Sequence, residues 1–136
     1  MEFITAIQKR DNEKAKELIE NKTVKINSTI NSSTYTPLTY AAKYNNRDIV
    51  EFLIEKGAKV NKADDEDVTP LYNAIIYNNI DIVKLLVENG ADVNKANAKN
   101  ETPLHIAVHH GYKKIVKILI ENGANINTQD TINKYT

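Results

Sequence analysis

The sequence predicts an all-α solenoid: four stacked helix-turn-helix units with hairpin-like fingers projecting between them. Two observations carry this prediction. The tripeptide Thr-Pro-Leu occurs at Thr36, Thr69 and Thr102, each copy 33 residues after the last. The stretches that follow align over their full length, with apolar residues at matched places: Leu38, Leu71 and Leu104; Ala41, Ala74 and Ala107; Ile49, Ile82 and Ile115; Leu53, Leu86 and Leu119. Self-similarity at a fixed period marks a repeat architecture, in which neighbouring units stack and bury a continuous core. Such a row offers an elongated surface and no central cleft. Contact with another macromolecule is therefore the expected function.

Each unit begins with a threonine suited to cap a helix, since its hydroxyl can accept from an orphan backbone N–H. Pro37, Pro70 and Pro103 follow at the first helical position, where a missing N–H costs nothing. The spacing predicts about two turns of helix from each proline, ending at Asn45-Asn46, Asn78-Asn79 and Gly111-Tyr112. Asn and Gly both tolerate the left-handed conformation that stops a helix. A second helix follows. Asp48 and Asp81 lie in its first turn and complement the helix dipole. Ile49, Val50, Leu53 and Ile54 form a face of 3.6-residue period, and Gly57, Gly90 and Gly123 end it. About a dozen residues rich in Asn, Lys, Asp and Ala then form a turn or finger before the next Thr-Pro.

Residues 1–35 read as a diverged first unit. Phe3, Ala6, Leu18 and Ile19 align with Leu38, Ala41, Leu53 and Ile54, but the Thr-Pro start is missing. Asp11-Asn12 marks the turn, and residues 13–21 form the second helix. Residues 24–27 match 59–61 after a one-residue insertion. A terminal unit must show one face to water, and Lys9, Arg10, Glu13, Lys14, Lys16 and Glu17 supply that polar character. At the other end, residues 131–136 look like a finger leading into another Thr-Pro-Leu. That suggests either that the last unit packs on a further repeat or another copy, or that it frays.

The 136 residues are expected to form one domain, with repeats at 36–68, 69–101 and 102–136 after the capping-like unit. Hydrophobic content of 41% and charged content of 26% suit a soluble globular chain. Eighteen basic and 18 acidic residues cancel. This argues against a nucleic-acid partner, which calls for a basic face. The run Asp64-Asp65-Glu66-Asp67 would repel phosphate. There is no cysteine, so disulfides and thiolate metal sites are excluded. No apolar run reaches membrane-spanning length, and the first ten residues lack the apolar core of a signal peptide. A cytoplasmic setting without membrane insertion is expected.

Thr-Pro-Leu-His105-x-Ala107, the period of 33 and the Glu-Asn-Gly-Ala-Asp-Val-Asn94 ending together resemble the ankyrin repeat. The resemblance covers essentially the whole chain, more weakly over residues 1–35. It implies an ankyrin-type solenoid: helix pairs in a slightly curved array, fingers at right angles, and protein–protein binding on the concave face without catalysis. The sequence departs from the family pattern in places. Thr39 and Tyr72 stand where His105 keeps the family histidine, and Gly-His is replaced by Asn-Asn twice and Gly-Tyr once. Asn73 stands where an apolar residue is usual, which bears on the stability of that unit and not on the fold.

The resemblance also locates a candidate partner-binding face. Its finger positions are Ser33 and Tyr35; Asp65, Glu66 and Val68; and Ala98, Lys99 and Glu101. Its helix-end positions are Gln8 and Lys9, Lys43 and Tyr44, Ile76 and Tyr77, and His109 and His110. Aromatic residues there suit a hot spot, because they bury a large area with little rotamer loss. Lateral packing of Tyr44 and Tyr77 between units is the alternative, and Tyr40 and Tyr72 read as structural. The acidic finger can pair with a basic partner or be a solvated turn.

No catalytic residue, cofactor or metal is expected. The three histidines share one helix with no nucleophile motif beside them, and there is no phosphate loop. His105 and His109 are four apart, but two ligands do not complete a metal site. His105 is expected to fix the turn, with His109 and His110 facing the concave surface. Asn61, Asn94 and Asn127 match positions that are hydroxylated in related repeats. Here they read as residues that stabilise their own turns by side-chain hydrogen bonds. The other reading of the whole is a structural or targeting segment of a longer array or multidomain protein, whose activity lies beyond residue 136.

Overall fold

The computed structural model describes residues 2–30 and 34–126. Ser33, Asn127 and residues 131–136 lie outside these. Among the described residues there are eight helices: α1 (Glu2–Lys9), α2 (Asn12–Glu20), α3 (Pro37–Lys43), α4 (Arg47–Glu55), α5 (Pro70–Ile76), α6 (Ile80–Glu88), α7 (Pro103–His109) and α8 (Lys113–Glu121). Each consecutive pair packs together. The first helices α1, α3, α5 and α7 then line up side by side, as do the second helices α2, α4, α6 and α8. The result is an all-α repeat solenoid two layers deep.

The local signals explain each boundary. Thr36, Thr69 and Thr102 accept from the N–H of Thr39, Tyr72 and His105 at 3.3, 3.2 and 3.3 Å. The short helices stop at left-handed residues Asn45 (φ 54°), Asn78 (φ 54°) and Gly111 (φ 72°). In the first unit Arg10 takes that position (φ 58°), a conformation that costs a non-glycine residue about 1 kcal/mol or more. Its guanidinium donates to the carbonyls of Tyr44 and Asn45 at 3.1 and 3.4 Å, which helps offset the strain. The second helices end alike. The N–H groups of Ala58, Ala91 and Ala124 turn back to the carbonyls of Leu53, Leu86 and Leu119, each at 2.9 Å. The first unit reaches from Val24 to Leu18 instead, and so absorbs its extra residue within the helix stop.

The matched apolar positions form one continuous core. Ile49, Ile82 and Ile115, and likewise Leu53, Leu86 and Leu119, are all 0% exposed. Asn73 is buried too, with its amide donating to the Thr69 carbonyl at 3.5 Å. Two polar residues of the first unit also reach the neighbouring unit. Arg10 bonds the next unit, as above. Lys16 pairs with Asp48 at 3.1 Å and lies over the Phe52 ring. Both are seam residues because the neighbouring pair offers them carbonyls, a carboxylate and a ring.

The asparagines also act across seams and not within their own turns. Asn27 donates to the Gly57 carbonyl and accepts from Lys59 N–H at 3.3 and 2.8 Å. Asn61 does the same with Gly90 and Asp92 at 3.0 and 2.7 Å, and Asn94 with Gly123 and Asn125 at 3.1 and 2.8 Å. One carboxamide per seam thus holds the next helix stop by both of its atoms. The fingers at 64–68 and 97–101 are turns, with Asp64 N–H donating to the Val68 carbonyl and Asn97 N–H to the Glu101 carbonyl at 3.0 and 2.9 Å, and Ile30 N–H donates to the Tyr35 carbonyl at 3.0 Å. Ala98 N–H donates to Glu66 carbonyl at 2.9 Å and joins two neighbouring fingers. No strand forms among the described residues.

Replacing the core and seam residues should separate their contributions in urea unfolding. Leu86→Ala should cost about 2–5 kcal/mol, since it leaves a cavity at a fully buried site. Asn61→Ala should cost about 1 kcal/mol, since its bonds are partly compensated by water.

Candidate protein-binding face

The finger at 64–68 lies beside the end of α5. This brings together side chains that lie a full repeat apart in sequence. Tyr35, Asp65, Glu66, Val68, Ile76 and Tyr77 line one groove of about 590 Å³, together with Thr34, Asp64, Tyr72 and Asn73. Tyr77 is 48% exposed, the most open large apolar side chain among the described residues. Tyr72 is half-buried and lies four residues before Ile76, on the same helix face. Its structural reading holds, since it packs against the core, and the spacing to Ile76 also puts it on the groove wall.

Lys43 sits beside this groove. Its ammonium is 5.6, 5.7 and 5.8 Å from the ring centroids of Tyr35, Tyr44 and Tyr77. Tyr44 is tied into the seam, with its hydroxyl accepting from Gln8 at 3.0 Å. Tyr35 meets Tyr40 edge to face at 5.4 Å. Burial pushes the Tyr35 hydroxyl above its ordinary value of 10.0, while the Lys43 ammonium opposes that rise. The ring is therefore neutral at physiological pH and its hydroxyl remains a donor.

The two described finger tips share one construction. Asp64 Oδ1 accepts from the N–H of Glu66 and Val68 at 2.8 and 2.9 Å. Asn97 Oδ1 accepts from the N–H of Lys99 and Glu101 at 2.9 and 3.0 Å. The tips differ in charge: the first presents Asp65 and Glu66, the second Lys99 and Glu101. Asn97 also donates to the Glu101 carboxylate at 3.2 Å, which holds that side chain along the finger.

The histidines divide. His105 completes a capping box, its Nδ1 accepting from the Thr102 N–H at 2.9 Å. His110 Nδ1 meets the Ile106 carbonyl at 2.9 Å and the ring stacks on Tyr112 at 5.2 Å. It thus packs on its own helix end. His109 is exposed and meets His110 edge on at 5.2 Å. Among the described residues no three His, Cys, Asp or Glu side chains gather as a metal site. No helix among them is long and apolar enough to cross a membrane.

A second hollow of similar volume lies after α2 and α4, lined by Ile19, Glu20, Val24, Ile26 and the lysines Lys22, Lys25 and Lys56. Its rim is made of flexible lysine stems. The groove beside Tyr77 instead has stiff aromatic walls and a fixed finger turn.

These features define a helical repeat solenoid whose finger side carries an aromatic groove. Residues 3–64 and 62–130 match the family model described as ankyrin repeats (3 copies). The match spans nearly all of the chain, and the protein belongs to the ankyrin repeat family. A search of curated proteins finds no significant match. Ankyrin repeats are in general protein–protein interaction modules without catalytic activity.

Proposed function

We propose that this protein is a non-catalytic module that binds a protein partner on the concave face formed by the finger tips and the ends of α3, α5 and α7. The contacts are Tyr35, Lys43, Tyr44, Asp65, Glu66, Val68, Ile76, Tyr77, Lys99, Glu101, His109 and His110. The observation that carries this reading is Tyr77. A large ring stands 48% exposed on a groove that two further tyrosines and an isoleucine also line. Lateral packing is the competing role, and Tyr44 also contributes to it, since its hydroxyl accepts from Gln8 of the preceding unit. The face is preorganised by the stack, so little entropy is lost in ordering it on binding.

A photo-crosslinking residue at position 77 should capture a partner in native extracts, whereas one at position 84, exposed on α6, should not. Tyr77→Ala should weaken binding of the captured partner by about 1–2 kcal/mol and change stability by less than about 0.5 kcal/mol. Equal capture at both positions, or lost stability with intact binding, contradicts the proposal.

Two exposed isoleucines in the last described unit favour a second reading. Ile126 is 46% exposed, whereas its counterpart Val93 is 7% exposed beneath the following unit. Ile120 is 44% exposed on the same last unit. Packing on a further repeat or on another copy would cover these groups. Sedimentation at rising concentration should show self-association that Ile120→Lys abolishes. A wild-type monomer at every concentration excludes the second copy.

A further inference from the structure

The groove beside Tyr77 has a charge pattern that selects among partners. Asp64, Asp65 and Glu66 stand on its finger side, and the rings of Tyr35, Tyr72 and Tyr77 line it. Asp64 is occupied in closing its turn, and Asp67 pairs with Lys95 at 3.7 Å. Among the described residues, no cation pairs with the carboxylates of Asp65 or Glu66. Two of these rings, Tyr35 and Tyr77, already hold a cation, together with Tyr44 outside the groove. The Lys43 ammonium lies within 5.8 Å of three tyrosine centroids. That is the range in which aromatic faces attract positive charge. No carboxylate lies within ion-pairing distance of Lys43 among the described residues. The chain's own lysine thus shows what this ring cluster accepts, while carboxylates stand unmatched along the same groove.

We infer that the groove receives a basic side chain, an arginine or a lysine, from an extended segment of the protein partner. The cation lies over Tyr35 and Tyr77 and meets Asp65 and Glu66, and its aliphatic stem runs along Val68 and Ile76. Arginine suits the site better, because its planar group stacks on rings and pairs with carboxylates at once. Lys43 is the resident cation, and its flexible stem lets it turn outward when the partner's cation arrives. This inference rests on the concave-face reading and adds the chemistry of the partner.

The test uses the purified protein and four pools of random hexapeptides with a fixed central Arg, Lys, Glu or Leu. The wild-type protein should retain the Arg and Lys pools about tenfold over the other two. The double variant Asp65→Asn/Glu66→Gln should remove most of that preference. Tyr77→Leu keeps charge and apolar bulk but removes the ring face, and should weaken Arg-pool retention by about two- to fivefold. Asp81→Asn/Glu88→Gln on α6 makes the same change in net charge and should leave retention unaltered. Circular dichroism should show all variants folded. Preference for the Glu or Leu pool, retention of none, or equal loss in the α6 control overturns the basic-side-chain inference. The concave-face reading then still stands or falls separately, on crosslinking at position 77 against 84.

Discussion

Helices of seven to nine residues are too short to persist alone in water. A single pair of them also has too little apolar surface to bury by itself. What sustains each helix is the aliphatic strip that it shares with the next pair. Ile49, Ile82 and Ile115, with Leu53, Leu86 and Leu119, are wholly excluded from solvent. Stability in such a stack is the sum of weak units and strong interfaces between neighbours.

The polar seams follow from the same constraint. Pressing one helix pair against another buries helix-end carbonyls that water would otherwise satisfy, and these need partners. Asn27, Asn61 and Asn94 bridge the second-helix stops at the exposed edge of each seam, where water also has access. At the other turn Asn79 donates to the Ala42 carbonyl at 2.8 Å, and the Tyr112 hydroxyl reaches the Ile76 carbonyl at 3.4 Å. With both edges of each seam fixed, finger tips and first-helix ends stand in a set register. The groove is therefore a product of stacking and not of any one unit.

This explains what could and could not be read from the sequence. The caps at Thr36, Thr69 and Thr102, the glycine stops and the buried isoleucines and leucines all obey local rules, so the repeat and its core were legible. The roles of Arg10, Lys16 and the asparagines were not, because an asparagine that closes its own turn looks the same in sequence as one that grips its neighbour. The individual residues of the proposed face were nameable by analogy. Their grouping was not: the ring cluster around Lys43 joins positions 35, 44 and 77, which meet only through the spacing of the stack. Tyr72 reads as structural and does pack against the core, but it also lines the groove, and His110 stays exposed while its ring stacks on Tyr112. In both cases the local signal was real but did not show which neighbour the ring would meet.

Native-state hydrogen exchange tests the shared-strip account most directly. If interfaces hold the units, the amides of Leu53 in α4 and Leu86 in α6 should exchange with one common free energy, equal to that of global unfolding. If instead α6 stays protected while α4 opens, or the reverse, each pair is stable by itself and the account is contradicted.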